Sequence, residues 1–169
     1  MLSFLLTGAF IFILFLLQTA VFPLILPVRV FPNLLIILTA SKGFMKGENA
    51  GMAVGFFCGL IYDIFFGGVI GFYALLYTYV GFINGKFSRV FYPEDIKLPL
   101  ALIMVSDLTY DLLVYLFLFL IWGKFDIQYY FLHVILPELV VTLVATLALY
   151  PIILKMNEGI RKSRRKREY

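Results

Sequence analysis

Apolar residues in this chain come in long runs rather than in the stripe that marks a soluble amphipathic helix. The runs cover about residues 2–22, 31–45, 49–66, 69–85, 98–122 and 131–154, and the polar segments between them are short. A soluble core helix would show a polar face at every turn. At about 1.5 Å per residue, most of these runs reach or approach the roughly 30 Å of a bilayer's hydrocarbon. The pattern predicts an all-α, polytopic membrane helical bundle of six transmembrane helices. It forms a single domain over residues 1–155, followed by a basic cytoplasmic tail at 156–169. The second helix is the short one. Only about ten apolar residues lie between Pro32 and Lys42, so it spans fully if Phe44 and Met45 are drawn in while Lys42 snorkels to the interface, and is re-entrant otherwise.

Composition removes the soluble alternative. Hydrophobic residues make up 63% of the chain and charged residues 14%, with a mean hydropathy of +1.00, more apolar surface than a domain this small can hide. No extramembrane segment is long enough to fold alone. The single cysteine, Cys58, has no disulfide partner and no metal-binding companions nearby, so it reads as a small packing residue. The first run lacks a charged leader and exceeds the length a signal peptide needs, so it is expected to remain as an anchor.

Lys and Arg concentrate in cytoplasmic loops, and that rule orients most of the chain. With six spans and the N-terminus inside, Lys42, Lys46, Lys86, Arg89, Lys97, Lys155 and the basic tail residues face the cytoplasm, leaving Arg29 and Lys124 outside, a split of twelve to two. A five-span arrangement with residues 31–45 re-entrant gives thirteen to one, so charge alone does not choose; six spans are preferred. Both place the 66–71 turn outside and the tail inside. The tail carries seven basic and two acidic residues from Lys155 onward, which suits a topology determinant resting on anionic lipid. Without a folded module it offers nothing for nucleic acid.

Four carboxylates interrupt the apolar runs: Asp63, Asp107, Asp111 and Glu138. Intramembrane charge is costly and usually faces a protein interior or a cavity. No Lys or Arg lies deep in a span to balance them, so they are expected to be protonated, hydrogen-bonded, or paired with something the chain does not supply. Asp107 and Asp111 share one helical face and are expected in a polar stripe in the bundle or, with Glu138, along a cavity. Glu138 also lies near His133, and a His–Glu contact at the interface is the expectation there. No nucleophile with a neighbouring base, no HExxH and no phosphate-cradling glycine motif is present. Accordingly no catalytic, cofactor-binding or metal-binding residue is assigned, and the chain is read as no enzyme.

Gly51, Gly55 and Gly59 recur every four residues, the spacing that lets membrane helices approach closely. Gly67 and Gly68 are expected to form the tight outer turn, with Gly71, Gly81 and Gly85 on the returning helix, so that the third and fourth runs form a close hairpin. The hairpin carries a recognisable order of residues: Gly55, Phe56, Gly59, Leu60 and Asp63 as G-F-x-x-G-L-x-x-D, then Gly71, Ala74 and Leu75 as G-x-x-A-L, then Gly81. Pro32 and Asn33 before LLIIL, and Tyr150–Pro151 before the basic tail, belong to the same order. In these positions, over nearly its full length, the chain resembles the MreD family of rod shape-determining proteins.

That resemblance implies a multi-pass inner- or plasma-membrane component of the bacterial cell-elongation machinery. It would scaffold or regulate peptidoglycan synthesis through a complex with MreC, and be linked indirectly to MreB and to RodA with its partner transpeptidase. The family is also similar in its six-span architecture to the substrate-binding subunits of energy-coupling-factor transporters, a likeness of fold that carries no function. The competing function is a substrate-binding subunit for a small molecule or lipid, lined by Asp107, Asp111 and Glu138. In the scaffold reading the glycine hairpin packs tightly and an exposed face receives the MreC helix, with Asp63 accepting hydrogen bonds from that partner. A homodimer is compatible with either reading.

Overall fold

The computed structural model describes residues 2–25, 30–90, 96–117 and 127–165. Arg29, Tyr92, Trp122, Lys124 and the last residues of the tail lie outside them. Among the described residues there are six helices and no strand: α1 (2–25), α2 (Leu34–Lys46), α3 (Glu48–Phe66), α4 (Phe72–Lys86, extended by a 3₁₀ turn at Phe87–Val90), α5 (Lys97–Tyr115) and α6 (127–165).

Helices α1 and α6 each contain one widened, π-helical turn, and both have the same cause. In α1 the turn covers Leu17–Val21, where the Phe22 N–H reaches back to the Leu17 carbonyl. In α6 it covers Phe131–Ile135, with the Leu136 N–H on the Phe131 carbonyl. The next residue is a proline each time, Pro23 and Pro137. A proline ring clashes with the carbonyl four residues back and brings no N–H, and one extra residue in the turn relieves the clash.

Helices long and apolar enough to cross a membrane are found at Leu5–Leu24, Glu48–Phe66, Lys97–Tyr115 and Gln128–Gly159. Helices α2 and α4, at 13 and 15 residues, are shorter. At about 1.5 Å per residue they extend roughly 20 and 22 Å.

Helix α2 is the axis of the bundle. Every residue from Leu34 to Phe44 is buried, and the helix packs against α1, α3, α4, α5 and α6. Ile11, Leu14 and Phe15 bring the inner stripe of α1 into this core, and the Phe15 ring lies 5.1 Å from that of Phe65. The burial of α2 corrects one expectation. Lys42 does not snorkel: it is 1% exposed, and its Nζ has no hydrogen-bond partner among the described residues. Neighbouring helices close around its stem before the ammonium can reach an interface. Tyr150 is likewise a core residue, whereas Tyr129 is exposed.

A buried helix start must have its backbone donors satisfied, and in α2 side chains from distant elements do this. The Asn33 N–H donates to Thr142 Oγ1 (3.1 Å) on α6, the Leu35 N–H to Gln18 Oε1 (3.3 Å) on α1, and the Ile36 N–H to Asn33 Oδ1 (3.3 Å). Asn33 Oδ1 also accepts from the fully buried Tyr77 hydroxyl on α4, at 2.9 Å. At the other end, Gly47 closes α2 with φ +93° and begins α3 at once, a conformation that L side chains rarely adopt.

Candidate functional site

The hairpin of α3 and α4 is held at backbone contact. A Cβ at Gly51 would strike the Gly81 carbonyl, one at Gly55 the Tyr77 carbonyl, and one at Gly59 the backbone of Tyr73 and Ala74. From the α4 side, Gly81 meets the Gly51 carbonyl and Gly85 meets Glu48. Gly43 of α2 enters the same contact, against the Gly81 carbonyl and the Gly85 nitrogen, so three helices share one glycine junction. Such approach gains van der Waals contact that larger residues would forbid.

Asp63 closes the hairpin at its tip. It is 1% exposed and accepts three backbone hydrogen bonds: Oδ2 from the N–H groups of Gly71 (3.0 Å) and Ala74 (2.9 Å), and Oδ1 from that of Tyr73 (3.0 Å). These are the orphan donors at the start of α4, so Asp63 caps that helix from the end of the preceding one. The expectation that Asp63 receives hydrogen bonds from a partner protein is thereby corrected: its acceptors are committed within the chain. The turn itself also differs from the expectation. Gly67 has an extended backbone, and it must be glycine because a Cβ would press on the Asp63 backbone and carboxylate. Gly68 has open space around it, and the left-handed residue is Gly71, at φ +103°.

The second polar place lies between α5 and α6. Asp107, Asp111 and Glu138 each bring a carboxylate oxygen within 4.8 Å of the other two. Asp107 is fully buried and Asp111 is 7% exposed, while Glu138 is half-buried. Asp107 sits beside Thr142 and the Asn33 side chain, but among the described residues no donor is in hydrogen-bonding geometry with either Asp107 oxygen or with Asp111 Oδ2. At an effective dielectric of about 20, two ionised carboxylates at such a separation repel by roughly 3–4 kcal/mol. The expected His133–Glu138 contact is corrected as well. His133 stacks on Tyr129, ring centroids 4.3 Å apart, with Nδ1 3.0 Å from the Tyr129 carbonyl, because the widened turn of α6 rotates Glu138 toward α5 instead.

Between α4 and α5, Asn84 Nδ2 donates to Ser106 Oγ (2.7 Å) and to the Val80 carbonyl (2.9 Å). A cleft of about 560 Å³ lies at the α2–α3 junction, lined by Lys46, Gly47, Glu48, Asn49, Gly85, Lys86, Ser88 and Arg89. Cys58 is wholly buried and free of disulfide.

Sequence reasoning missed Asn33, Thr142, Gln18 and Gly43 as structural determinants. Only Asn33 carried a local signal, since Asn directly before an apolar run is a helix N-cap signature. The other three act through partners that local spacing does not reveal.

Set against known proteins, residues 1–158 match the family model described as rod shape-determining protein MreD. No curated protein and no solved structure matches the chain.

Proposed function

Because the chain belongs to the MreD family of rod shape-determining membrane proteins, we propose that it is a noncatalytic scaffold of the cell-elongation machinery that grips MreC within the bilayer. The family match over residues 1–158 carries this reading. Physical features of the chain support it. The glycine junction and the Asp63 cap make α2, α3 and α4 a rigid unit, and a rigid unit presents a fixed surface to a partner at low entropic cost. Apolar side chains that face away from the core, such as Leu75, Tyr79 and Ile83 on α4, suit lipid or a partner's transmembrane helix equally well. With short loops, partner recognition falls to apolar and small-residue contacts inside the membrane.

In this proposal all six helices lie in the inner or plasma membrane, the hairpin tip faces outward, and the basic tail faces the cytoplasm against anionic lipid. Links to MreB, RodA and the partner transpeptidase run through MreC. Affinity purification of the tagged chain from its native membrane in mild detergent tests the reading. Stoichiometric recovery of a single-span protein with an extracytoplasmic domain is expected. Recovery of ATPase subunits or a stoichiometric small molecule, without that protein, would replace the scaffold with a transporter's substrate-binding subunit.

A further inference from the structure

Three carboxylates converge between α5 and α6, yet the scaffold role uses none of them. Their oxygens lie within 4.8 Å of one another. In a bilayer an acidic group of this kind either holds its protons or meets compensating positive charge. Asp107 has no exposed surface and points into the cluster, and although Thr142 and the Asn33 side chain lie beside it, neither of its oxygens is in hydrogen-bonding geometry with a donor among the described residues. Buried polar atoms in native proteins almost always have a partner, so two orphaned oxygens on one buried carboxylate mark a place where something outside the chain binds. The nearby start of α2 contributes about half a positive charge at most, too little for three acids, and its Asn33 oxygen already holds the Ile36 N–H and the Tyr77 hydroxyl.

We propose that Asp107, Asp111 and Glu138 form a binding site for one hard divalent cation of calcium size, buried between α5 and α6. The donors are oxygens only, which selects hard cations over the softer transition metals. Coordination habit favours Ca²⁺: it accepts an irregular set of carboxylate oxygens at about 2.3–2.6 Å, whereas Mg²⁺ demands a near-ideal octahedron and keeps several of its waters. One divalent ion balances two ionised carboxylates, and the third remains as a neutral ligand. Glu138, being half-buried, leaves room for water to complete the shell. Bound there, the ion ties the middle of α5 to the outer part of α6, next to the Tyr115 and Tyr130 rings, whose centroids lie 4.9 Å apart across the same two helices.

The test uses the full-length protein in lipid nanodiscs, equilibrated with CaCl₂ or MgCl₂, with bound metal counted by mass spectrometry and thermal stability followed in parallel. One Ca²⁺ per chain is expected, with a higher melting temperature in calcium than in EDTA. Asp107→Asn and Glu138→Gln should each weaken binding by more than the roughly 10-fold that loss of even an outer-shell group costs, and should abolish the calcium-dependent stabilisation. Glu158→Gln, at an exposed position on the same helix, should bind as wild type. Glu138→Gln carries the test alone if Asp107→Asn does not fold. A monodisperse wild-type protein that retains no Ca²⁺ at about 1 mM, the weak end of known calcium sites, overturns the proposal. So does calcium binding that survives Glu138→Gln unchanged.

Discussion

Replacing Asp63 with alanine should loosen the hairpin by an amount the structure sets. Its carboxylate serves three backbone donors, those of Gly71, Tyr73 and Ala74. Gly71 is exposed, so its N–H can turn to water or a headgroup once the carboxylate is gone. Ala74 is buried and Tyr73 half-buried, and their donors lie at a helix start where no intrahelical carbonyl exists to receive them. An unsatisfied buried donor costs about 1–3 kcal/mol, so two of them set a floor near 2 kcal/mol. For a chain of this length that corresponds to a drop in melting temperature of roughly 4 °C or more. Asp63→Asn should fall between wild type and Asp63→Ala, since its amide keeps one acceptor but turns an NH₂ toward a donor. The assay is thermal unfolding of the purified full chain in detergent, followed by circular dichroism. An Asp63→Ala variant that melts within about 1 °C of wild type would show that the cap contributes nothing, and that the carboxylate is held there for another reason.

The remaining expectations concern the junctions around that hairpin. Gly81→Ala would drive a Cβ into the Gly51 carbonyl and should cost about 1–3 kcal/mol as overpacking, while Gly68→Ala, with open space around it, should change stability by less than about 0.5 kcal/mol; equal melting shifts for the two would refute the junction. Asn33→Ala removes the acceptor for both the Ile36 N–H and the Tyr77 hydroxyl and should destabilise by about 1–2 kcal/mol. Tyr77→Phe should cost less, and the double variant should fall short of the sum. Cys58, wholly buried, should react with a maleimide only after denaturation, so labelling of the native protein as fast as of the SDS-unfolded one would contradict its place in the core.

Legibility from sequence tracked the range of the interaction concerned. The helical hairpin was readable because its signals are local: glycines four residues apart, then a turn, then a returning run. Asp63 was readable as a residue that needs explaining, but its role was not, because whether a carboxylate turns inward onto a neighbouring helix start or outward to a partner depends on a turn geometry decided by Gly67 and Gly71 together. The place of Lys42 is hidden from the sequence for a different reason. A lysine near the end of a short apolar run has a route to the interface if the helix stands at the bundle's edge, and none if it stands at the centre. Helical periodicity alone puts Asp107 and Asp111 on one face, whereas local spacing pairs Glu138 with the neighbour that is close in sequence. The turn widened by Pro137 sends it to α5 instead.

Hydropathy, run length and glycine spacing sufficed by themselves to determine that this is a helical membrane protein with a close-packed central hairpin, because each depends on residues within one or two turns of one another. Tertiary structure alone decided that α2 is surrounded, that its first donors are met by side chains as far off as Thr142, 109 residues from Asn33, and that three carboxylates on two helices share one small space. In a bilayer nearly every face of every helix is apolar, so hydrophobicity does not say which face turns inward; shape and the few polar groups that must find partners settle it.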